Sequence, residues 1–227
     1  MRHVRYASMW WVGLVVAVGL GVAQAQTPRA PLTSIDQKLD AVQTAVDGSA
    51  LPRFQDNSDG TITDRQTGFM WVKLDNAGGP LDKDTVRNWN DAITTWLDQV
   101  NSLNKTNASN DADGSRVSFA GGYTDWRLPT IVELQTILDT SVPGCGVSPF
   151  TTPCVDPVFD TNCTAGCTNT ALNPANACSC TAASGYWSTA TDAKDPSGAW
   201  DVDFLDGDVD FTFKNFSLRV RAVRFGR

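Results

Sequence analysis

The strongest constraint on folding in this sequence is a segment, 141–184, that holds every cysteine of the chain. Large apolar side chains are scarce there and Pro, Gly, Thr and Ala are frequent, so the segment cannot build a core of its own. An even number of cysteines in such a segment predicts disulfides. Six cysteines allow fifteen pairings, and the spacing does not select one of them. The predicted disulfide residues are Cys145, Cys154, Cys163, Cys167, Cys178 and Cys180.

A thiolate metal site is the alternative interpretation of these cysteines. Three residues separate Cys163 from Cys167, and one residue separates Cys178 from Cys180. Neither spacing is that of the usual zinc knuckles, and no histidine lies nearby to complete a site. The spacing therefore favours disulfides, which persist only in an oxidising compartment.

The N-terminus carries the features of a secretory signal. Arg2 and Arg5 supply a positive start, 9–22 is an apolar run, and 23–25 reads Ala-Gln-Ala, the small-x-small cleavage pattern. The alternative is a membrane anchor, but the apolar run is short for a span of about 20 residues. We therefore predict a signal peptide over 1–25 and no membrane span after its removal. The mature chain is expected in the periplasm, on the cell surface or secreted.

Histidine and charge together exclude several classes of function. The single histidine, His3, lies in the predicted signal, so the mature chain has no Ser–His or Cys–His catalytic pair and no imidazole metal ligand. Of the 25 acidic residues 24 are aspartate, and only Glu133 is glutamate. Loss of the two arginines in the signal leaves a formal charge of −9, from 16 basic and 25 acidic residues. This charge argues against nucleic acid or an anionic membrane surface as the main partner.

The mature chain divides into an N-terminal extension and one globular domain. Residues 26–50 are predicted as a linker followed by a short amphipathic helix over 34–47, whose apolar positions are spaced by four, three and four residues. Such a helix can form a homo-oligomeric stalk or dock on its own domain, and two heptads do not decide between these roles. The domain itself is predicted over 51–227, with about 141–184 as a cysteine-rich insertion.

Hydrophobic periodicity within the domain predicts an α+β fold. Short strands at both ends of the domain enclose two helices, the second opened by a capping box of Thr130 and Glu133. The predicted helices are 85–103 and one that begins at 130. The predicted strands are 61–63, 69–72, 186–189, 199–205, 208–213 and 218–225.

An aspartate-rich hairpin is the sharpest local pattern. The dipeptide Asp206-Gly207 predicts a two-residue turn that pairs Asp203 with Asp210. Alternation then places Trp200, Val202, Phe204, Val209, Phe211 and Phe213 on a buried face. The opposite face carries Asp201, Asp203, Asp208 and Asp210.

Like charges placed directly opposite each other are destabilising, so the aspartates need partners. Arg219 and Arg221 on the next predicted strand could pair with them. The alternative is a hard cation, most simply Ca²⁺, held by the four carboxylates. No other cofactor is indicated.

Three ordered motifs resemble a known family. Residues 53–71, with the run RFQDNSDGTITD, resemble the opening of the Lcl C-terminal domain family, long catalogued as a domain of unknown function. Residues 122–134, with GYTDWRLPT, resemble its central motif, and 186–189, 199–204 and 220–224 resemble its tail. The likeness spans about 51–227.

The resemblance implies a bacterial exported domain with a C-type-lectin-like fold, similar to that of formylglycine-generating enzymes. Where members of the family have a known role it is adhesion, including binding of sulfated glycans by a trimeric domain. This chain departs from the pattern in its charge of −9, its cysteine-rich insertion, and Ala222 where members often carry cysteine.

We therefore predict a non-catalytic binding module, an adhesin or a surface recognition domain for an extracellular glycan or protein ligand. An enzyme akin to the sulfatase modifiers, or a structural envelope component, are the alternatives. The ligand-binding candidates are Tyr186, Trp187, Asp201, Asp203, Asp208 and Asp210. The predicted structural positions are Asp125, Trp126, Arg127, Leu128, Pro129, Arg219 and Arg221.

Overall fold

The computed structural model describes residues 51–106, 120–169 and 177–226. The predicted signal peptide, the linker and the helix over 34–47 lie outside the described residues. A role of that helix in assembly therefore stays a prediction. In the described part of the chain no helix has both the length and the apolar character needed to cross a membrane.

Two sheets organise the domain. The first joins the start of the domain to its end in the antiparallel order β1-β2-β3-β9. Its strands are β1 (Phe54–Asp56), β2 (Thr61–Asp64), β3 (Phe69–Val72) and β9 (Val223–Phe225). The second sheet has the order β4-β8-β5-β6-β7, in which only the contact between β5 and β8 is parallel. Its strands are β4 (Val86–Asn88), β5 (Gly185–Thr191), β6 (Gly198–Asp203), β7 (Val209–Phe213) and β8 (Ser217–Arg219).

The strand predicted over 218–225 is in fact two strands in different sheets. β8 ends at Arg219 and β9 begins at Val223, so the chain crosses from the second sheet to the first between them. Arg221 is fully buried at this crossing. A continuous run of strand-forming residues does not show where one sheet ends and the next begins, and here the burial changes from exposed or half-buried residues in β8 to mostly buried residues in β9.

The first predicted helix begins later than expected. Val86–Asn88 forms strand β4, and Asn88 then caps the helix by accepting a hydrogen bond from Asp91 N. The helical segment that we call α1 runs through Trp89–Asp91, a π-helical stretch Ala92–Trp96, and Leu97–Thr106. The second helix, α2 (Ile131–Gln135), carries the predicted capping box of Thr130 and Glu133. Single 3₁₀ turns occur at Ala120–Gly122 and Pro157–Phe159.

The predicted α+β class and the predicted disulfides are both confirmed. Mixed sheets combine with two helical segments and a disulfide-rich loop region. The six cysteines pair as Cys145–Cys154, Cys163–Cys180 and Cys167–Cys178. The largest side chains of the core, fully buried between the sheets and helices, include Trp71, Trp96, Trp187, Tyr186 and Phe159.

Candidate functional site

Two of the predicted ligand contacts belong to the core instead. Tyr186 and Trp187 are adjacent in β5, and each is 0% exposed. The Tyr186 ring packs 4.8 Å from that of Phe204, and its hydroxyl accepts a hydrogen bond from Ala182 N. Trp187 Nε1 donates to Arg87 O at 2.8 Å. The prediction that these two rings contact a ligand is therefore wrong, because both faces of β5 are covered.

The hairpin of β6 and β7 has a longer loop than predicted. Asp201 lies opposite Asp210 and Val202 opposite Val209. Asp203 N donates to Asp208 O at 2.8 Å, which closes a four-residue loop rather than the predicted two-residue turn. The register shifts by two positions, so the aspartates still share one face.

That face is not a uniformly exposed stripe. Asp208 and Asp210 are exposed and Asp203 is half-buried, but Asp201 is only 3% exposed, and its Oδ1 has no hydrogen-bond partner. Burial raises the pKa of Asp201 to about 6, and the charges of Asp210 and Asp203 act in the same direction. Burial also raises the pKa of Asp203.

The two arginines that were predicted to form ion pairs with these aspartates lie elsewhere. β8 pairs with β4 and β5 and is therefore separated from β7. Arg219 contacts the backbone oxygen and the carboxylate of Asp84, the latter at 3.2 Å. Arg221 donates to Val72 O, Cys180 O and Thr181 Oγ1. The predicted pairing of Arg219 and Arg221 with the hairpin carboxylates is thus wrong.

The predicted cation site is also not assembled by these aspartates. Among the described residues, the only group of three cation-ligating atoms that all lie within 4.8 Å of one another consists of cysteine sulfurs. Asp201, Asp203, Asp208 and Asp210 do not form such a group. Three convergent oxygens are the least that a Ca²⁺ site of six to eight ligands requires.

Residues of the central motif, which were predicted as structural positions, make several contacts within the domain. Asp125 accepts two hydrogen bonds from Arg224, at 2.7 and 3.1 Å, which ties the motif to β9. Trp126 N donates to Asn101 Oδ1 at 2.8 Å. Leu128 is fully buried, and Pro129 O accepts from Thr189 N of β5.

An open cleft that the sequence did not predict lies at the other end of the β6–β7 hairpin. Its volume is about 650 Å³. Three separate segments build it: the start of α1, the loop between β5 and β6, and the connection from β7 to β8. We call it the β7–β8 cleft, and its lining residues are Asn88, Asn90, Ser197, Phe213, Lys214 and Asn215.

Amide and aromatic groups of the cleft are free to contact a ligand. Within the described residues, the side-chain amides of Asn90 and Asn215 have no hydrogen-bond partner, and both residues are exposed. Phe213 is 47% exposed, and neighbouring Phe216 is 58% exposed. Asn88, by contrast, is held by its capping hydrogen bonds with Asp91.

Lys214 holds the cleft together. Its ammonium group donates to Thr191 Oγ1 at 2.8 Å and to Pro196 O at 3.0 Å. The same group lies 4.1 Å from the ring centroid of Trp89, whose Nε1 donates to Ser188 O. These contacts occupy the ammonium group and join the residue after β7 to β5, to the loop between β5 and β6, and to α1.

The exposed ring of Phe213 ends a row of three aromatic side chains. Its centroid is 5.3 Å from that of Phe211, which in turn lies 6.2 Å from that of Trp200, both edge-to-face. Phe211 crosses directly over Gly198, where a Cβ atom would stand 2.0 Å from the Phe211 ring. The row therefore fixes Phe213 at the cleft and depends on the absence of a side chain at Gly198.

Comparison with known proteins gives the family. The Lcl C-terminal domain family model matches residues 60–224, and the chain belongs to that family. The family predicted from the three motifs is thus confirmed. No curated protein matches the chain. The C-type-lectin-like character of the fold stays what the resemblance implies.

Proposed function

We propose that this chain is an exported, non-catalytic binding module that recognises a neutral glycan at the β7–β8 cleft. One observation carries the proposal. The half-exposed ring of Phe213 stands beside two unpartnered amides, Asn90 and Asn215, in an open cleft.

This combination suits a sugar ring. A pyranose has one face of C–H groups, which packs against an aromatic ring, and an edge of hydroxyls that both donate and accept hydrogen bonds. An asparagine side chain offers an acceptor oxygen and two donor hydrogens, so it can form hydrogen bonds with two neighbouring hydroxyls of a sugar. A few such polar groups beside an apolar surface are typical of small-ligand sites.

The charge of the cleft favours a neutral glycan over a sulfated one. Among the six described lining residues Lys214 alone is charged, and its ammonium group is occupied by Thr191, Pro196 and the Trp89 ring. The described lining therefore offers no free cation to pair with a sulfate, and the whole chain is acidic. This distinguishes the proposal from the sulfated ligands that the family resemblance implies.

The lining residues also support binding rather than catalysis. None of the six carries a carboxylate, a thiol or an imidazole. General acid–base or nucleophilic catalysis of glycoside cleavage needs such groups beside the scissile bond. We therefore propose recognition of the glycan without chemical change.

The test is a glycan array of matched neutral and sulfated oligosaccharides, followed by calorimetric titration of the best neutral ligand. We expect Phe213→Ala and Asn215→Ala each to weaken binding by at least about tenfold, which is about 1.4 kcal/mol. Gln99→Ala is the matched control, because Gln99 lies on α1 and lines a separate cleft, not the β7–β8 cleft. The proposal is overturned if the array is blank, if only sulfated glycans bind, or if both cleft variants bind like the wild type.

A further inference from the structure

The outer side of β7 is an open sheet edge. In the described part of the chain β7 is the last strand of the second sheet and pairs only with β6. The pairing keeps one continuous register over Val209–Phe213, without a bulge. The other three edge strands of the two sheets, β1, β4 and β9, have three residues each, whereas β7 has five. β7 is therefore the longest edge that the described sheets present.

Hydrogen bonds to β6 show which backbone groups of β7 point outward. Lys214 N donates to Ser197 O at 2.9 Å, and Asp208 O accepts from β6 at 2.8 Å, so the even-numbered residues of the strand bond inward. The N–H and C=O groups of Val209 and Phe211 point the other way. Within the described residues no group forms a hydrogen bond with them. These two residues therefore present the donors and acceptors that another strand needs.

The two faces of this edge differ in chemistry. Val209 packs against the core and Phe211 continues the aromatic row from Trp200, and both residues of the edge are half-buried. Asp208 and Asp210 are exposed on the opposite face, and neither forms an ion pair with a described residue. An incoming strand thus meets apolar side chains on one face and unpaired negative charge on the other.

A buried carboxylate increases the negative charge of that second face. Asp201 of β6 lies directly opposite Asp210 and is only 3% exposed. Its Oδ1 has no hydrogen-bond partner among the described residues. Like charges directly opposite each other in a sheet are destabilising. A cationic side chain beside Asp210 would therefore reduce a repulsion that the domain leaves uncompensated.

We propose that β7 binds an extended segment of a partner protein as an added antiparallel strand, and that this segment alternates apolar with basic residues. In strand addition backbone hydrogen bonds give affinity and alternate side chains give specificity. Antiparallel pairing is slightly more stable per residue than parallel pairing. Partner residues that bond to Val209 and Phe211 extend the apolar face. The partner residue between them stands opposite Asp210 in a close, non-hydrogen-bonded pair, where a lysine or arginine forms an ion pair.

A second copy of the chain fits this edge less well. The self-paired register that uses both outward residues bonds Val209 of each copy to Phe211 of the other. The two Asp210 carboxylates then stand opposite each other in the close pair, which is destabilising. Charged side chains on exposed edges commonly prevent such self-association. The aspartates therefore favour a basic partner over a second copy.

The first test is amide hydrogen exchange of the full mature chain, followed by nuclear magnetic resonance without any ligand. We expect fast exchange at the amides of Val209 and Phe211, and slower exchange at those of Asp210 and Thr212, which bond to β6. Protection of the two outward amides in dilute protein would overturn the proposal, because the chain itself would then cover the edge. Protection only at high protein concentration would also overturn it, because the occupant would be a second copy.

The second test adds a peptide of about six residues in which valine alternates with lysine. We expect it to bind and to slow exchange at the amides of Val209 and Phe211. A matched peptide with glutamate in place of lysine should bind at least about tenfold more weakly. Methylation of the valine nitrogens, which bond to β7 in the antiparallel arrangement, should abolish binding, whereas methylation of the lysine nitrogens should not.

Substitutions in the protein assign the binding to this edge. Asp210→Lys should weaken binding of the lysine peptide by at least about tenfold and strengthen binding of the glutamate peptide. Asp98→Lys makes the same charge change at an exposed position of α1 and should leave both affinities nearly unchanged. Val209→Pro removes an outward N–H without touching the bonds to β6, so it should weaken binding more than Val209→Ala does.

Circular dichroism checks that each variant keeps its fold. The inference is independent of the proposed glycan site, because the edge uses backbone groups and Asp210, whereas that site uses the Phe213 ring and two asparagine amides. Glycan binding by the same variants therefore reports on that site separately. The proposal is overturned if the lysine peptide does not bind, if lysine and glutamate peptides bind equally, or if Asp210→Lys leaves their preference unchanged.

Discussion

Arg127 forms a bidentate ion pair with Glu133, the only glutamate of the chain. Nη1 donates to Oε2 at 2.8 Å and Nη2 to Oε1 at 2.5 Å. Glu133 Oε2 also accepts from Thr130 N, while Thr130 Oγ1 accepts from Glu133 N. Because Arg127 is paired through its backbone with Val223, this contact joins the capping box of α2 to β9. The length of the glutamate side chain suits this position, because the third helical residue of a capping box reaches back to the backbone of the cap.

We predict that Arg127→Ala lowers the free energy of unfolding by about 2 kcal/mol at neutral pH, because it leaves the buried carboxylate without its partner. Burial opposes ionisation of Glu133, but the hydrogen bonds from Arg127 and Thr130 outweigh it and hold its pKa below the usual value. A lowered pKa stabilises the fold above the unfolded pKa, and the gain is lost as pH falls through the folded value. The deficit of the variant should therefore shrink in acid. Urea unfolding at several pH values measures it.

Arg65→Ala is the control for this prediction. Arg65 is exposed, and it contacts Pro52 O and Gln55 Oε1 rather than a carboxylate. We expect it to change the free energy of unfolding by less than about 0.5 kcal/mol. Equal effects of the two substitutions would mean that Arg127 acts only as a surface side chain.

Asp201 gives a prediction of opposite sign. Its carboxyl is buried opposite Asp210 with one oxygen unpartnered, and burial raises its pKa to about 6. An acid with a raised folded pKa loses stability as pH rises from the unfolded to the folded value, between about pH 4 and pH 6. Asp201→Asn should therefore stabilise the protein by about 1–2 kcal/mol above pH 7, allowing for partial screening by solvent, and should have little effect below pH 4.

Asp208→Asn, at an exposed position of the same hairpin, serves as the comparison. It should change stability by less than about 0.5 kcal/mol throughout the pH range. Thermal unfolding curves of the three proteins at matched ionic strength provide the measurement. If the stability difference between Asp201→Asn and the wild type were the same above pH 7 as below pH 4, ionisation of the buried carboxyl would carry no cost in stability.

Local patterns in the sequence predicted what local physics determines. The capping box at Thr130 depends on residues three positions apart, and the disulfides follow from an even cysteine count in a segment without a core. The pairing of aspartates on one face of the hairpin also followed, because a register shift of two positions preserves alternation.

Sequence patterns did not predict that strands of the second sheet are buried on both faces. Tyr186 and Trp187 are consecutive and both fully buried, and their partners Val202 and Asp201 in β6 are buried too, so alternation no longer separates core from surface. One face of an antiparallel sheet is commonly exposed to solvent, and on that basis Asp201 was predicted to be exposed. The β7–β8 cleft was missed for another reason: Asn90, Ser197 and Asn215 meet only in the folded chain, and isolated polar residues between strands also occur in ordinary turns.

We predict that any side chain at Gly198 destabilises the protein, because the Phe211 ring packs directly against this glycine. A Cβ at this position would stand 2.0 Å from the Phe211 ring, and β6 backbone and ring cannot both stay in place. Gly198→Ala should destabilise the protein by about 1–3 kcal/mol, as overpacking does. Since Phe213 is fixed by Phe211 and Ser197 adjoins Gly198, the same change should weaken ligand binding in the cleft.

A double-mutant cycle separates this clash from a general effect on β6. Phe211→Ala removes the ring, so the double variant Gly198→Ala, Phe211→Ala should lose less stability than the two single variants together, by at least about 1 kcal/mol. Urea unfolding of the four proteins gives the coupling. Strictly additive losses would show that the ring does not determine the need for glycine.

The disulfide pattern is the remaining prediction. Cα separations of 4.9, 5.2 and 5.9 Å place Cys145 with Cys154, Cys163 with Cys180, and Cys167 with Cys178. Because no lysine or arginine lies between positions 128 and 193, trypsin leaves all six cysteines in one peptide. Cleavage after Phe150 and Phe159 releases the first pair for mass spectrometry, after thiols are blocked in acid to prevent exchange.

The other two pairs need fragmentation between the close cysteines. Cys163 and Cys167 stay on one peptide, as do Cys178 and Cys180, so backbone cleavage at 164–166 and at Ser179 must assign the bonds. We expect nested pairing, in which the inner cysteines Cys167 and Cys178 are joined. Since the Sγ atoms of Cys167 and Cys180 are only 3.6 Å apart, a crossed pairing of these two is the outcome that would contradict the structure.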